Sequence, residues 1–294
     1  MLLLLLGSIV FSSWLTLSFK LLERLGIHTF QAIVFNYITC VITGSFVNGT
    51  FPINSEVIGE EWFRWAMVMG TIFISLFNVI AKTAQTMGVA VASVGNKLSL
   101  VIPFLFSIYL YNEEATVFKI AGVVIALLSV VLTCWPSASH TEPSGKVVKP
   151  AYFLLPVILF FASGLLDTMI KYVETSYIND ANQNAYLISA FAAAAAIGII
   201  SLIFLYTTGR VRFEPKAVLA GIIIGVPNYF SIWCLMGVLK GFAGNSSAII
   251  PINNMGIVLF STVAAFLMFK EKLTKLNWMG IVLSIAAIAL IAYG

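Results

Sequence analysis

Two charges lie far inside apolar sequence, and they are the residues best placed to do chemistry. Lys97 stands about a third of the way into residues 88–114, GVAVASVGNKLSLVIPFLFSIYLYNEE, beside Asn96 and ahead of Pro103. Asp167 stands deep in the apolar stretch 151–173. Either stretch can cross roughly 30 Å of hydrocarbon. An ionised side chain there costs about 3 kcal/mol or more unless it meets a partner or a water-filled space. A structural salt bridge between the two would satisfy both. Opened to a wet chamber, the pair would instead bind: Lys97 would hold a carboxylate and Asp167 an ammonium. Asp167 is also the candidate for any proton-linked step.

Other polar residues fall at the spacings i, i+4 and i+7, which share one helix face. Ser8, Ser12, Thr16 and Lys20 form one stripe, and Thr71, Ser75, Asn78 and Lys82 another. Ser93, Asn96 and Lys97 oppose Val94, Leu98, Val101 and Leu105. Further along come Ser163, Asp167 and Lys171, then Tyr229, Trp233, Met236 and Lys240, then Ser246, Asn253 and Asn254. The expected substrate-binding set is Ser12, Thr16, Ser75, Asn78, Asn96, Lys97, Ser163, Asp167, Tyr229, Trp233, Asn253 and Asn254. Tyr229 and Trp233 would supply an aromatic wall. Plainer roles compete. A membrane Ser or Thr usually bonds its own i−4 carbonyl, and an Asn can serve only to join helices. Lys82 and Lys240 sit where they can snorkel. Glu113 and Glu271 close their helices and would organise loops.

The elements that must position these groups are ten apolar segments: about 2–22, 30–48, 65–86, 89–111, 117–135, 151–173, 183–207, 217–240, 245–268 and 275–293. Each approaches the ~20 residues of a spanning helix. Of the 294 residues 60% are hydrophobic and 10% charged, against about 25% charged in soluble domains. The opening MLLLLLGSIVFSSW has no basic n-region and runs too long for a signal peptide, so it reads as the first span. Between residues 48 and 64 a longer loop holds an Asn48-Gly49-Thr50 acceptor pattern, with Trp62 and Trp65 expected at the membrane interface. The second, fifth, seventh and tenth segments are poorer in polar residues and read as outer scaffold. Pro103, Pro156, Pro227 and Pro251 interrupt the inner segments and offer bends.

The chain repeats itself. At a shift of 158, Lys82 meets Lys240, Asn96 meets Asn254, Glu113 meets Glu271, Thr116 meets Thr274 and Gly122 meets Gly280. A gap-free alignment runs from residue 70 to 135. At a shift of 151, Ser12 meets Ser163 and Lys20 meets Lys171. Residues 1–135 form a first five-helix repeat, 136–150 a Pro/Ser-rich linker, and 151–294 a second repeat. Five is odd, so the second copy enters the membrane inverted, an arrangement with its site near the midplane. The expected fold is therefore an all-α membrane protein, ten transmembrane helices in a 5+5 inverted repeat with a central cavity. Eleven of the fifteen loop cations counted lie on the side opposite the N-terminus, which by the positive-inside rule puts both termini outside.

Several functions are disfavoured. Cys40, Cys134 and Cys234 make no CxxC pair, and His28 and His140 make no cluster, so neither metal nor cofactor is expected. There is no GxxxxGK[ST], HExxH or GxSxG, so the chain reads as no enzyme and not ATP-driven. A channel would want a ring of like charges or a carbonyl filter. A net charge of +4 with no basic tract gives nucleic acid no footing.

Two segments, YLYNEEATVFKIAGVVIALLSVVL (109–132) and FLMFKEKLTKLNWMGIVLSIAAIALI (266–291), each close one helix with Glu and place Gly in the next. With these the chain resembles the drug/metabolite transporter superfamily, EamA-like type, over essentially its whole length. The resemblance implies ten helices in a 5+5 inverted repeat, alternating access, and both termini in the cytoplasm, against the charge count. Asn96-Lys97 is similar to an Asn-Lys motif of nucleotide-sugar transporters, but lies in the first half where that motif belongs to the second. That substrate is therefore not carried over. The expected function is a secondary transporter of a small polar or amphipathic metabolite, an amino acid or similar zwitterion. The alternative is an exporter of aromatic or cationic drug-like compounds. Partners would be the substrate, the lipid bilayer, and protons or a counter-substrate. The expected location is a bacterial inner (plasma) membrane.

Overall fold

The computed structural model describes residues 2–103, 105–106, 116–133, 152, 154–179, 181–241, 246–271 and 273–293. Glu113, Cys134, His140 and the linker 136–150 lie outside these, as do the side chains of Lys171, Lys240 and Ser246. Regular structure among the described residues is helical: α1 Leu2–Arg24, α2 Thr29–Asn48, α3 Ser55–Gly59, α4 Glu61–Met87, α5 Val89–Lys97, α6 Val117–Thr133, α7 Leu154–Tyr177, α8 Gln183–Thr207, α9 Pro215–Gly241, α10 Ser246–Phe269 and α11 Lys275–Tyr293. Six helices (α1, α2, α4, α8, α9 and α10) hold stretches long and apolar enough to cross a membrane. Shorter apolar helices fill 89–103, 117–133, 154–170 and 275–291. Large apolar side chains such as Ile200, Leu267 and Val282 stand more than 60% exposed. Exposure on that scale suits a surface met by lipid.

Local chemistry sets the helix ends. His28 caps α2 by accepting the Gln31 N–H on its ring Nδ1, and Gly49 closes the helix at φ +79, a left-handed backbone that glycine adopts without strain. α5 gives way to a 3-10 turn at Leu98–Leu100. The break lies just before Pro103, whose ring crowds the carbonyl four residues earlier, that of Ser99. Pro156 does not interrupt its helix as expected. It lies in the first turn of α7, where no N–H is required. Pro227 is carried inside α9. Trp62, expected at the interface, is 3% exposed because α4 begins at Glu61 and turns the indole inward, edge-on to Tyr186.

The chain forms two compact units, and each draws on both halves of the sequence. The first comprises Met1–Lys20, Val79–Thr168 and Phe230–Gly294; the second comprises Leu21–Asn78 and Met169–Tyr229. In the first unit α5, α6, α7, α10 and α11 share a core around Val94, Leu98, Ala126, Phe160, Val258 and Ile288. Its most extensive helix pair is α6 with α11. There Gly122 lies against Ala287 and Ile291, while Gly280 lies against Ser129 and Thr133. The two contacts are one contact written twice: adding 158 to Gly122, Ser129 and Thr133 gives Gly280, Ala287 and Ile291.

The second unit repeats the device. Gly44 lies against Ile188, and Gly198 lies against Val34, reciprocal at a shift of 154. Gly70 of α4 meets the Ala190 carbonyl and the Ala193 side chain of α8, while Gly225 of α9 meets the Asn36 carbonyl and the Thr39 side chain of α2. These match at 155 for the glycines and 154 for their partners. The spacing between these two glycines, 155, is three residues short of the shift between Gly122 and Gly280. Glycine at all these points lets helix backbones approach closely, the usual means of helix packing in lipid.

Candidate functional site

α7 positions the sharpest polar group. Gly164 packs on the side chain of Ile102, and Gly95 of α5 lies over the Pro156 carbonyl. The α5 segment is thereby laid along α7 from Gly95 to Ile102. Asp167, one turn beyond Ser163 on α7, accepts a hydrogen bond on Oδ2 from Ser99 Oγ at 3.4 Å. The single Ser99 proton is shared with the nearer carbonyl of Asn96, so the contact to Asp167 is the long arm of a three-centre bond. Lys97 stands two residues before Ser99 on the same segment. Val94, Leu98 and Val101, on the opposite face, are at most 1% exposed. Asn96, Lys97 and Asp167 are only half-buried. Ser93 and Ser99 are buried beside them, and Leu105, at the far end of the apolar stripe, is 49% exposed. Ser163, on the Asp167 face, is buried and its Oγ has no hydrogen-bond partner.

α1 meets α10 in the same unit. Ile9 packs on Gly256, and Ser13 Oγ donates to the Ile257 carbonyl at 3.4 Å. Thr16 is buried and Ser12 half-buried. Asn253 and Asn254 are both buried, with Asn253 Oδ1 unpartnered. α10 joins α5 through Ser261 Oγ donating to Ser93 Oγ at 2.8 Å. Glu271 does organise a junction: its Oε1 accepts the Val89 N–H at 2.8 Å, capping α5 where Gly88 turns the chain at φ +102.

The other expected site residues lie elsewhere. Ser75 is exposed and bonds the Thr71 carbonyl, and Asn78 Nδ2 bonds that of Ile74. Both take the plain i−4 role. Tyr229 belongs to the second unit, 1% exposed with its ring over Gly44. Trp233, one turn later on α9, is 43% exposed and stands edge-on to Phe230. One ring is sealed and the other open. Lys82 is exposed, with Nζ 5.1 Å from the Tyr152 ring centre.

Sequence reasoning missed Ser99, a single hydroxyl among many. It also set α2 aside as scaffold, yet Gln31 and Asn36 there are fully buried. Asn36 Oδ1 accepts from Asn228 Nδ2 at 3.1 Å, and Cys40 Sγ donates to the Gly225 carbonyl at 3.4 Å. The signal was present: Asn36, Thr39 and Cys40 share one helix face at spacings of three and four. Among the described residues no three His, Cys, Asp or Glu side chains gather as a metal site.

Comparison with known proteins gives a family match over the second half of the chain. Residues 150–293 match the model of the EamA-like transporter family, consistent with the drug/metabolite transporter superfamily. An uncharacterised protein of Haemophilus influenzae strain Rd is 28% identical over 283 residues, covering 93% of this chain and 92% of its own. A solved crystal structure of a protein shares the fold at TM-score 0.59 and 14% identity, over 97% of this chain and 98% of that one. With its apolar helices, the chain is an integral, multi-pass membrane protein.

Proposed function

We propose that this EamA-like membrane protein is a secondary transporter that works by alternating access and binds a small zwitterion, an amino acid or close analogue, at the open face of α5 and α7. The observation that carries the reading is the cluster of Asp167, Ser99 and Lys97: opposite charges on two packed helices, both partly exposed, with a hydroxyl 3.4 Å from the carboxylate. Lys97 would take the substrate carboxylate. Asp167 would take the ammonium, with Ser99 holding one carboxylate oxygen so that the other is presented. Asn96 and Ser163 would complete the polar lining. Asp167 is also the group on which a proton or the ammonium of a counter-substrate would compete, which would couple the two fluxes.

The reciprocal glycine contacts support a ten-helix 5+5 inverted repeat. A contact in which i meets j′ and j meets i′ is what a two-fold axis produces. It recurs here in α6 with α11 and in α2 with α8. Two like halves related in that way give two arrangements of similar energy, which alternating access requires.

The test is uptake by purified protein in proteoliposomes. Labelled amino acids should enter saturably and show counterflow. Lys97→Ala and Asp167→Asn should each lower uptake by about tenfold or more, the value of one charge-assisted hydrogen bond, while the protein still extracts as a folded species. Normal uptake by both variants would remove the pair from the site. Loss in Asp167→Asn with full transport in Lys97→Ala would mark the substrate as a cation, the drug-like export reading.

A further inference from the structure

The second unit carries a feature the transport reading does not use. A shallow groove of about 530 Å³ runs along α8 and the start of α2, lined by Phe30, Ile200, Ser201, Phe204 and Leu205. Four of the five lining residues are apolar. Ile200 and Phe204 are 68% and 58% exposed, and both belong to a span-length helix, so the groove opens toward lipid.

The loop that follows α8 is tied down at the end of this groove. The N–H groups of Arg210 and Val211 both donate to the carbonyl of Leu205, a groove residue, at 3.0 and 3.3 Å. Gln31, next to groove residue Phe30, donates through Nε2 to the Arg212 carbonyl at 2.8 Å. Its Oε1 accepts from the Glu214 N–H and from the Tyr206 hydroxyl, each at 3.0 Å. The acid of the loop, Glu214, is engaged through Oε2 by the His28 N–H at 2.9 Å. These bonds fix the loop through its backbone, through Gln31 and Tyr206, and through the Glu214 carboxylate, without using the Arg210 or Arg212 side chains. The side chains of Arg210, Arg212 and Lys216 stand exposed. Phe213 is also exposed, edge-on to Phe35 and Tyr206, as aromatics do at the level of lipid headgroups.

We propose that this groove and loop form a binding site for an anionic phospholipid, with an acyl chain along Ile200 and Phe204 and the headgroup phosphate held by Arg210 and Arg212. Three properties favour that occupant. The slot is apolar and lies on a membrane-spanning helix, where the available apolar ligand is a lipid tail. It ends beneath cations on a loop whose position is set independently of their charge. Guanidinium forks suit the oxygens of a phosphate. The site shares no residue with the proposed substrate cluster, so the two stand or fall separately.

The experiment is thermal unfolding of the full chain in detergent micelles doped with phosphatidylglycerol or with phosphatidylcholine of identical acyl chains. A ligand that binds the folded form raises the melting point in a concentration-dependent way. Phosphatidylglycerol should raise it and phosphatidylcholine should raise it much less. In the Arg210→Ala/Arg212→Ala double variant the backbone bonds of the loop remain, so the melting point in undoped detergent should stay close to that of the parent. About thirtyfold more phosphatidylglycerol should then be needed for half the shift, on the order expected for two surface cations. Ser201→Trp, which fills the groove and keeps the cations, should also blunt the shift. If that variant is unstable, Phe204→Ala serves the same purpose. Equal shifts with both lipids, or an undiminished shift in the double variant, would overturn the proposal. So would the same shift from glycerol phosphate or inorganic phosphate alone, which would reveal a free-phosphate site.

Discussion

Two helix contacts in the first unit fall at matching positions under the proposed repeat and differ in chemistry. α7 on α5 brings Ser163 and Asp167 to Asn96, Lys97 and Ser99. The shifts of 151 and 158 carry these to Ser12, Thr16, Asn254, Met255 and Ile257, which is the α1–α10 contact. The two are not packed residue for residue: Gly164 lies against Ile102, whose counterpart would be Phe260, while Ser13, the counterpart of Gly164, bonds the Ile257 carbonyl. The charges do not all correspond. Asp167 and Lys97 fall on neutral Thr16 and Met255, whereas Lys171, a turn beyond Asp167, keeps its match in Lys20. If the proposed repeat sets the scaffold, the charge of Asp167 and Lys97 is nonetheless one-sided. A ligand held here would be gripped by one repeat and merely flanked by the other.

The comparison breaks most simply at its charged end. Asp167→Asn should lower transport by about tenfold or more, and Thr16→Val, its neutral counterpart, should leave uptake within about twofold. Uptake in proteoliposomes checks both. Equal losses from the two variants would mean that the α1 face works as hard as the α7 face and that the asymmetry is idle. Ser99→Ala should fall between them, chiefly in KM, because it presents the carboxylate without replacing it.

Much of this was legible in the sequence, and the parts that were not share a physical cause. Apolar segments of span length gave the helices, since hydropathy needs no partner to be read. Lys97 and Asp167 stood out because charge inside hydrocarbon is costly wherever it sits. The repeat showed in polar matches such as Asn96 with Asn254, but its register did not. Gly70 and Gly225 are small, common residues, and only their neighbours Ala190 and Asn36 reveal that they correspond. Ser75 and Asn78 looked like site residues by spacing. The spacing that aligns a face also aligns each side chain with the carbonyl one turn back, and that bond won. Gln31 and Asn36 were passed over because α2 is mostly apolar, although it is the buried minority that makes the contacts with α9 and the 208–214 loop.

The symmetric pairs can be tested within themselves. A methyl group at Gly280 would meet the Thr133 backbone nitrogen at 2.5 Å and the Ser129 carbonyl at 2.9 Å, whereas one at Gly122 would stand 3.1 Å from the Ala287 carbonyl and the Ile291 nitrogen. Backbone cannot yield as a side-chain tip can. Gly280→Ala should therefore destabilise by about 1–3 kcal/mol and Gly122→Ala by less, read as melting points in detergent. Identical losses would argue that the two ends of the pair relax alike. Gly88→Ala adds backbone strain to crowding, since φ is +102 and the new methyl would lie 3.0 Å from the Glu271 carboxylate. Glu271→Gln keeps the shape and loses the charge at the α5 terminus, a change of about 0.3–1 kcal/mol.

The smallest effect probes why α5 breaks and α10 does not. At the shift of 158, Pro103 corresponds to Ser261 and Ser93 to Pro251, so each helix carries proline where the other carries serine. The two serines bond each other at 2.8 Å. Ser261 keeps the backbone N–H that Pro103 lacks, and α10 runs unbroken through this position to Phe269 while α5 tightens into a 3-10 turn at Leu98–Leu100. The side-chain bond itself is a small term, since interhelical hydrogen bonds in membranes average about 0.6 kcal/mol. Ser261→Ala should cost about that much and leave transport unchanged. Ser261→Pro should cost far more, because it removes the N–H that keeps α10 straight and sets the ring against the Ile257 carbonyl, the acceptor of the Ser13 hydroxyl. A melting point for Ser261→Pro as high as that of Ser261→Ala would show that α10 tolerates the same break as α5, and that the difference between the two contacts lies in their charges alone.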